Sequence, residues 1–317
     1  MAAGQARLTP AVVCVCLLLL IDATGVLPRP AVDGAIADIG RTGTSTLLAA
    51  ETPRPVKRIV SLVPALTEML FAIGAGPAVV GVSNFDTFPP AVKGLPHVGA
   101  LLDPDTERIL TLRPDLVITY GSQTDAQARF ERAGIRVFTY RHSGIDGVLA
   151  TMRRLGETVG RTEQAAAAAR DLEMRLDSIR SRVKGRPRPR TLLVFERMPQ
   201  TLRGLYVSGG AGFLSDMLDT AGAANVFGDV KRESVQPSQE TLLVRAPEVI
   251  IEIRAQRLAN PDEARRDRAA WNTLASLPAV RQQRVYFLAG DELVVPGPRL
   301  AGGVEAMARV LHPDAFR

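Results

Sequence analysis

Residues 162–184 read TEQAAAAARDLEMRLDSIRSRVK, and the fold turns on what this stretch is. Alanine, the strongest helix former, fills its first half. Neither Pro nor Gly interrupts it. Leu172, Leu176, Ile179 and Val183 fall at i, i+4, i+7 and i+11, which gives one apolar stripe along a helix. Thr162 is the expected N-cap and Gly185 the expected stop. At about 1.5 Å per residue the helix spans roughly 35 Å, about the width of a small domain. Two meanings compete: a crossover helix inside one α/β domain, or a rigid spacer joining two lobes.

The flanks decide between them. Before the stretch, strand signals at 58–62, 78–82, 115–120 and 135–140 alternate with helix signals at 64–74, 105–112, 123–133 and 143–159, with Asp105 and Ser143 as expected caps. After it, strands are expected at 191–196, 205–208, 248–253 and 284–288, and helices at 212–221, 238–245, 262–277 and 299–311. Alternation of this kind builds largely parallel sheets. The halves also repeat. Residues 107–118, ERILTLRPDLVI, align without gaps on residues 240–251, ETLLVRAPEVII, and residues 67–75, TEMLFAIGA, align on residues 215–223, SDMLDTAGA. Both matches occur in the same order on the two sides of the long helix. The expected fold is therefore α/β: two pseudo-symmetric α/β lobes joined by one long rigid helix, with a ligand cleft between them, a favoured place for small-molecule sites.

The bulk numbers agree. The chain has 317 residues, 46% hydrophobic and 23% charged, with a formal net charge of +6. That length accommodates two domains. The basic runs at 180–190 and 254–268 lack interleaved aromatics and read as solvated faces, so no nucleic-acid partner is expected. Near the N-terminus, Arg7 precedes the apolar run AVVCVCLLLLI at 11–21, which is short for a membrane span. It reads as a signal peptide over 1–25, or an anchor if uncleaved, followed by a flexible tether over 26–56. Both cysteines, Cys14 and Cys16, lie within it. The N-terminal lobe is expected over 57–143, connecting helices over 144–185 and the C-terminal lobe over 186–317.

Catalytic chemistry finds little support. There is no P-loop pattern and no nucleophile elbow. The three histidines, His97, His142 and His312, lack zinc-site spacing, and His312 is expected at the surface. The GAGFLS run at 210–215 either cradles a phosphate or is a plain strand-to-helix turn. No enzyme, cofactor or metal site is expected. Aromatics are only 5% of the chain, so their places count. Phe85 follows the second strand. Tyr120, beside Gly121, and Tyr206 sit at strand ends, where parallel sheets bind ligands; each stacks on a ligand or is a core ring with a wet hydroxyl. Asp291 and Glu292 close the last strand and either hold a ligand amide or cation, or form a solvated turn. Glu107 and Glu240 match across the repeat, each in a helix first turn. They either complement the helix dipole or form two charged knobs for a two-socket partner.

The segments RIVSLVPALTEMLFAIGAGPAVVGVSNFDTFPP (58–90), ERILTLRPDLVI and GDELVVPGPRLAGGVEAMARVLHP (290–313) resemble the cobalamin and iron–siderophore branch of the periplasmic substrate-binding proteins of ABC importers, over 57–313. Within it the vitamin B12-binding proteins look most similar. The resemblance implies a monomeric, exported binder that delivers cobalamin or a related corrinoid to a membrane permease. A ferric siderophore or haem is the alternative ligand, and an α/β enzyme acting on a metal chelate or a signalling receptor the alternative class. It also implies that Phe85, Tyr120, Gly121, Tyr206 and Asp291 line the cleft, and that Glu107 and Glu240 dock to arginines of the permease. The family's tryptophans near Leu101 and Ser234 are missing here; the one tryptophan is Trp271.

Overall fold

The computed structural model describes residues 55–256 and 260–317. The N-terminal lobe runs β1 (Ile59–Ser61), α1 (Pro64–Ala72), β2 (Val79–Val82), α2 (Thr106–Thr111), β3 (Leu116–Tyr120), α3 (Thr124–Arg132) and β4 (Arg136–Tyr140). Its strands form one parallel sheet in the order β2-β1-β3-β4. β1 and β3 are buried along their whole length, which is why neither shows a regular apolar–polar alternation. Two helices follow, α4 (Ile145–Thr158) and α5 (Thr162–Val183).

α5 is the stretch quoted above. Its 22 residues span about 33 Å. Leu172, Leu176, Ile179 and Val183 are all buried, together with Ala165 and Ala169. The small residues let α4 approach closely, since a Cβ on Gly156 would lie 2.2 Å from that of Ala165. Gly185 ends the helix with φ +74°, a conformation that costs glycine nothing. The expected N-cap is displaced: Thr162 is already helical, and Arg161 precedes it without a side-chain cap. Ser143 does not cap α4 either. Instead Asp216, from beyond the long helix, accepts the Ile145 N–H at 2.9 Å.

The C-terminal lobe runs β5 (Arg190–Glu196), β6 (Tyr206–Ser208), α6 (Gly212–Thr220), β7 (Ala224–Asn225), β8 (Ser234–Val235), α7 (Gln239–Arg245), β9 (Val249–Arg254), α8 (Pro261–Ala269), α9 (Pro278–Arg281), β10 (Val285–Ala289) and α10 (Leu300–Leu311). Its sheet has the order β10-β9-β5-β6-β8, with β7 paired to β5; β6 is antiparallel to both neighbours. The single helix expected over 262–277 breaks after Ala269 into a 3-10 turn. A buried ion cluster accounts for the break. Arg197 binds Glu252 at 2.9 Å and Asp267 at 3.1 Å, Arg254 binds both carboxylates, and the Trp271 indole N–H donates to Glu252 at 3.3 Å. Pinning Asp267 and Trp271 to the sheet pulls the chain off a regular helical path. His312 is buried rather than exposed, with Nε2 3.1 Å from the Gly222 carbonyl oxygen.

The repeat holds in three dimensions. Asp105 caps α2 by accepting the Arg108 N–H, and Ser238 caps α7 by accepting the Thr241 N–H. Arg113 and Ala246 follow these helices with φ of 46° and 42°, each just before a proline that disfavours right-handed helix. Asp115 then accepts the Arg58 N–H and Glu248 the Arg190 N–H, both at 2.9 Å. In the upstream match, Gly74 and Gly222 end α1 and α6 with φ of 76° and 84°. One apolar core nevertheless includes both lobes and α5.

Candidate functional site

A cleft opens where the two lobes meet. Its N-terminal wall comes from strand ends. Tyr120 is the last residue of β3 and Tyr140 the last of β4, with His142 two residues beyond. Phe85, Thr87 and Phe88 come from the loop after β2, and Glu68 from α1. Asp291, Val294, Val295 and Pro296 close the cleft from the other lobe. This is where side chains carried by parallel strands converge on a ligand.

The backbone at Tyr120 is fixed by two glutamines, Gln123 of the following turn and Gln127 of α3. Gln123 accepts the Tyr120 N–H at 2.8 Å, and Gln127 donates to its carbonyl at 2.7 Å. The ring meets Tyr140 edge-on at 6.0 Å, Tyr140 meets His142 at 5.8 Å, and His142 meets Phe213 of α6 at 5.2 Å. A chain of edge-to-face aromatics therefore crosses from one lobe to the other, the geometry favoured by ring quadrupoles. His142 Nδ1 is 3.3 Å from the Tyr140 hydroxyl, while Nε2 is shielded from solvent without a hydrogen-bond partner. Burial pushes this imidazole down to about 4, so it is neutral at physiological pH.

A polar clasp lies beside these rings. Arg299 grips Glu68 with two bonds, at 2.9 and 2.5 Å, and lies 4.0 Å over the Phe88 ring. Its guanidinium is also 3.6 Å from Glu292. Thr87 donates to Asp291 at 2.9 Å across the lobes. Gly297 lies close against this pair, where a Cβ would sit 3.1 Å from a Glu68 carboxylate oxygen. Burial raises Glu68 above the usual carboxylate range, with Arg299 opposing it. Burial likewise pushes Asp86, behind this group, up to about 7.

Of the residues marked out by sequence, Phe85, Tyr120 and Asp291 come together on the cleft wall. Gly121 and Tyr206 lie outside that wall. The Gly121 N–H donates to the Tyr140 carbonyl at 2.8 Å, continuing the sheet. Tyr206 pairs with Glu196 at the end of β5 and stacks on Phe195 at 6.3 Å. Glu107 and Glu240 are exposed on α2 and α7, and neither takes part in an ion pair among the described residues. In the 210–215 turn the N–H groups of Gly210 and Ala211 already donate to the carbonyls of Val230 and Arg232, as a strand-to-helix turn held against the neighbouring loop would. No group of three or more metal-ligating side chains is clustered among the described residues. Sequence reasoning missed Glu68, Tyr140, His142 and Arg299. The TEM and GPR triplets that carry Glu68 and Arg299 bear no spacing signal, since 231 residues separate the partners.

Two α/β lobes around a cleft, held by one long helix, define a bilobal ligand-binding architecture. The chain belongs to the periplasmic binding protein family, whose pattern it matches over residues 59–292. It is 30% identical over 267 residues to the uncharacterized ABC transporter substrate-binding lipoprotein YvrC of Bacillus subtilis, covering 82% of each chain. Its fold matches the periplasmic vitamin B12 binding protein BtuF of Vibrio cholerae with a TM-score of 0.69 at 26% identity, covering 83% of this chain and 99% of that one. A periplasmic heme binding protein of Pseudomonas aeruginosa matches with a TM-score of 0.69 at 28% identity, over 81% and 93% of the two chains.

Proposed function

We propose that this chain is the extracytoplasmic substrate-binding component of an ABC importer, that it captures cobalamin or a related corrinoid between its lobes, and that it hands the ligand to the membrane permease. The observation that carries this reading is the aromatic wall formed by Phe85, Phe88, Tyr120, Tyr140 and His142, facing Asp291 across the cleft. Flat rings offer contact area to a planar macrocycle at small entropic cost. A carboxylate opposite them accepts hydrogen bonds from the amide side chains at a corrinoid's rim. Entry requires the lobes to part, which exchanges the Thr87–Asp291 bond for bonds to ligand. The long helix keeps that opening small. On the outer face, Glu107 and Glu240 present one carboxylate per lobe to arginines of the permease.

Titration of the protein with cyanocobalamin, followed by calorimetry, tests the ligand. Saturable one-to-one binding that weakens on Tyr120→Ala and Asp291→Ala is the expected result; absence of binding removes cobalamin. Charge reversal at Glu107 and Glu240 should abolish uptake while leaving that titration unchanged.

One observation favours haem as the second reading. His142 is a neutral imidazole in the cleft wall whose Nε2 lacks a partner, and a neutral imidazole is a common donor to iron. A haem titration with a shifted absorption band that His142→Ala abolishes would move the assignment to haem.

A further inference from the structure

We propose that each docking knob is a glutamate–leucine pair, Glu107 with Leu110 and Glu240 with Leu243, and that the permease receives them in two like sockets that join a guanidinium to an apolar floor. The inference rests on the docking role proposed above for the two glutamates and adds the apolar half of the contact.

The duplicated segment carries the argument. In the gapless alignment Glu107 falls on Glu240, Ile109 on Leu242 and Leu110 on Leu243. Burial follows the same register. Ile109 and Leu242 are fully buried and anchor α2 and α7 to their lobes, while Leu110 is 39% exposed and Leu243 42%. Residues three apart share a helix face, so each leucine stands beside its glutamate. Val244, next to Leu243, is 84% exposed and widens the apolar patch on the C-terminal lobe.

A single exposed leucine needs no explanation. The same leucine left outside at the same position of two sequence-divergent lobes does. Each helix already has its fully buried anchor, and the outward leucine, partly covered by its own lobe, still leaves about two-fifths of its surface open to a partner. Neither glutamate is spent on an ion pair among the described residues. A patch presented twice by related lobes fits a partner that presents one socket twice, which is what a two-fold pair of permease subunits provides. Charge at the rim then sets encounter and register, and leucine burial slows departure.

The test uses the cognate importer in nanodiscs, titrated with the protein at several salt concentrations. The variants are Leu110→Ser, Leu243→Ser, both together, Glu107→Gln with Glu240→Gln, and Met174→Ser on α5 as an exposed apolar control. Each leucine variant should weaken binding about threefold and the pair about tenfold, as expected for the burial of part of a leucine side chain. Their salt dependence should match that of the parent. The glutamate variant should weaken binding and flatten the salt dependence, because a screened charge contact is lost. The control should bind as the parent does. If the leucine variants bind normally while the glutamate variant is weakened, the pairing is overturned and the docking role stands. If neither set changes binding, the docking role fails as well. Circular dichroism spectra unchanged from the parent exclude misfolding as the cause.

Discussion

Arg299→Met tests the clasp at the cleft. The substitution keeps an apolar stem against Phe88 but removes both donors to Glu68, whose side chain is 5% exposed. A hydrogen bond to a charged group contributes about 1.5–3 kcal/mol, and breaking a buried pair costs about 3–5 kcal/mol. The guanidinium is 27% exposed, so the lower end applies, about 2–3 kcal/mol at pH 8. The sign of the pH dependence follows from the carboxyl. Burial already raises Glu68, with Asp291 and Glu292 adding to the rise and Arg299 opposing it. Without Arg299 it rises further, so the folded chain holds a proton that the unfolded chain has released. Stability of the variant then falls as pH rises through that interval, and its penalty is smallest near pH 5. Urea denaturation at pH 5 and pH 8 measures this for the parent, Arg299→Met, Glu68→Gln and the double variant. In the Glu68→Gln background the arginine change should cost under about 1 kcal/mol, because no unpaired charge remains. A penalty equal at both pH values, or effects that add within about 0.5 kcal/mol, would refute the account.

Asp86 is pushed from 3.8 to about 7 by burial, so the folded state binds the extra proton and stability declines as pH rises between those values. Asp86→Asn should remove that decline, at most about 3 kcal/mol between pH 5 and pH 8 at about 1.36 kcal/mol per pH unit, read as a narrowed gap between melting temperatures at those two pH values. Leu176→Ala, in the middle of the buried stripe of α5, should cost about 2–4 kcal/mol in denaturant unfolding. Gly222→Ala combines φ +84° with a Cβ placed 2.7 Å from His312 Nε2. It should lower stability by about 2 kcal/mol or more, and a partial recovery in the Gly222→Ala, His312→Ala background would identify the clash.

Local rules made the long helix, its stop at Gly185 and most strands legible, because alanine content, apolar spacing and glycine placement act within a few residues. The duplication was legible for a different reason: Arg113 and Ala246 look unrelated as letters, yet the proline and acid after each impose the same turn. What the letters hid depends on distant partners. The Ser143 cap lost to Asp216, a residue 71 positions from Ile145. The break after Ala269 follows from Arg197, the residue just past β5. His312 is buried because Gly222 leaves room for its ring. The cleft follows the same division. Phe85, Tyr120 and Asp291 advertise themselves as strand-end residues, whereas Glu68, His142 and Arg299 acquire their places only when the lobes are assembled.

The stripe on α5 has a consequence for how the chain comes to be folded. It is covered by α4 on one flank and by α10, the last helix, on the other. During synthesis the first lobe and α5 are complete more than a hundred residues before Leu300–Leu311 exists. Until then the flank of α5 that α10 covers stays open, so the nascent chain carries an unfinished interface in its middle. Two lobes that look separable therefore complete their folding together, in a step of high contact order that waits for the C-terminus. A chain cut within α10 should lose protection from proteolysis in both halves at once.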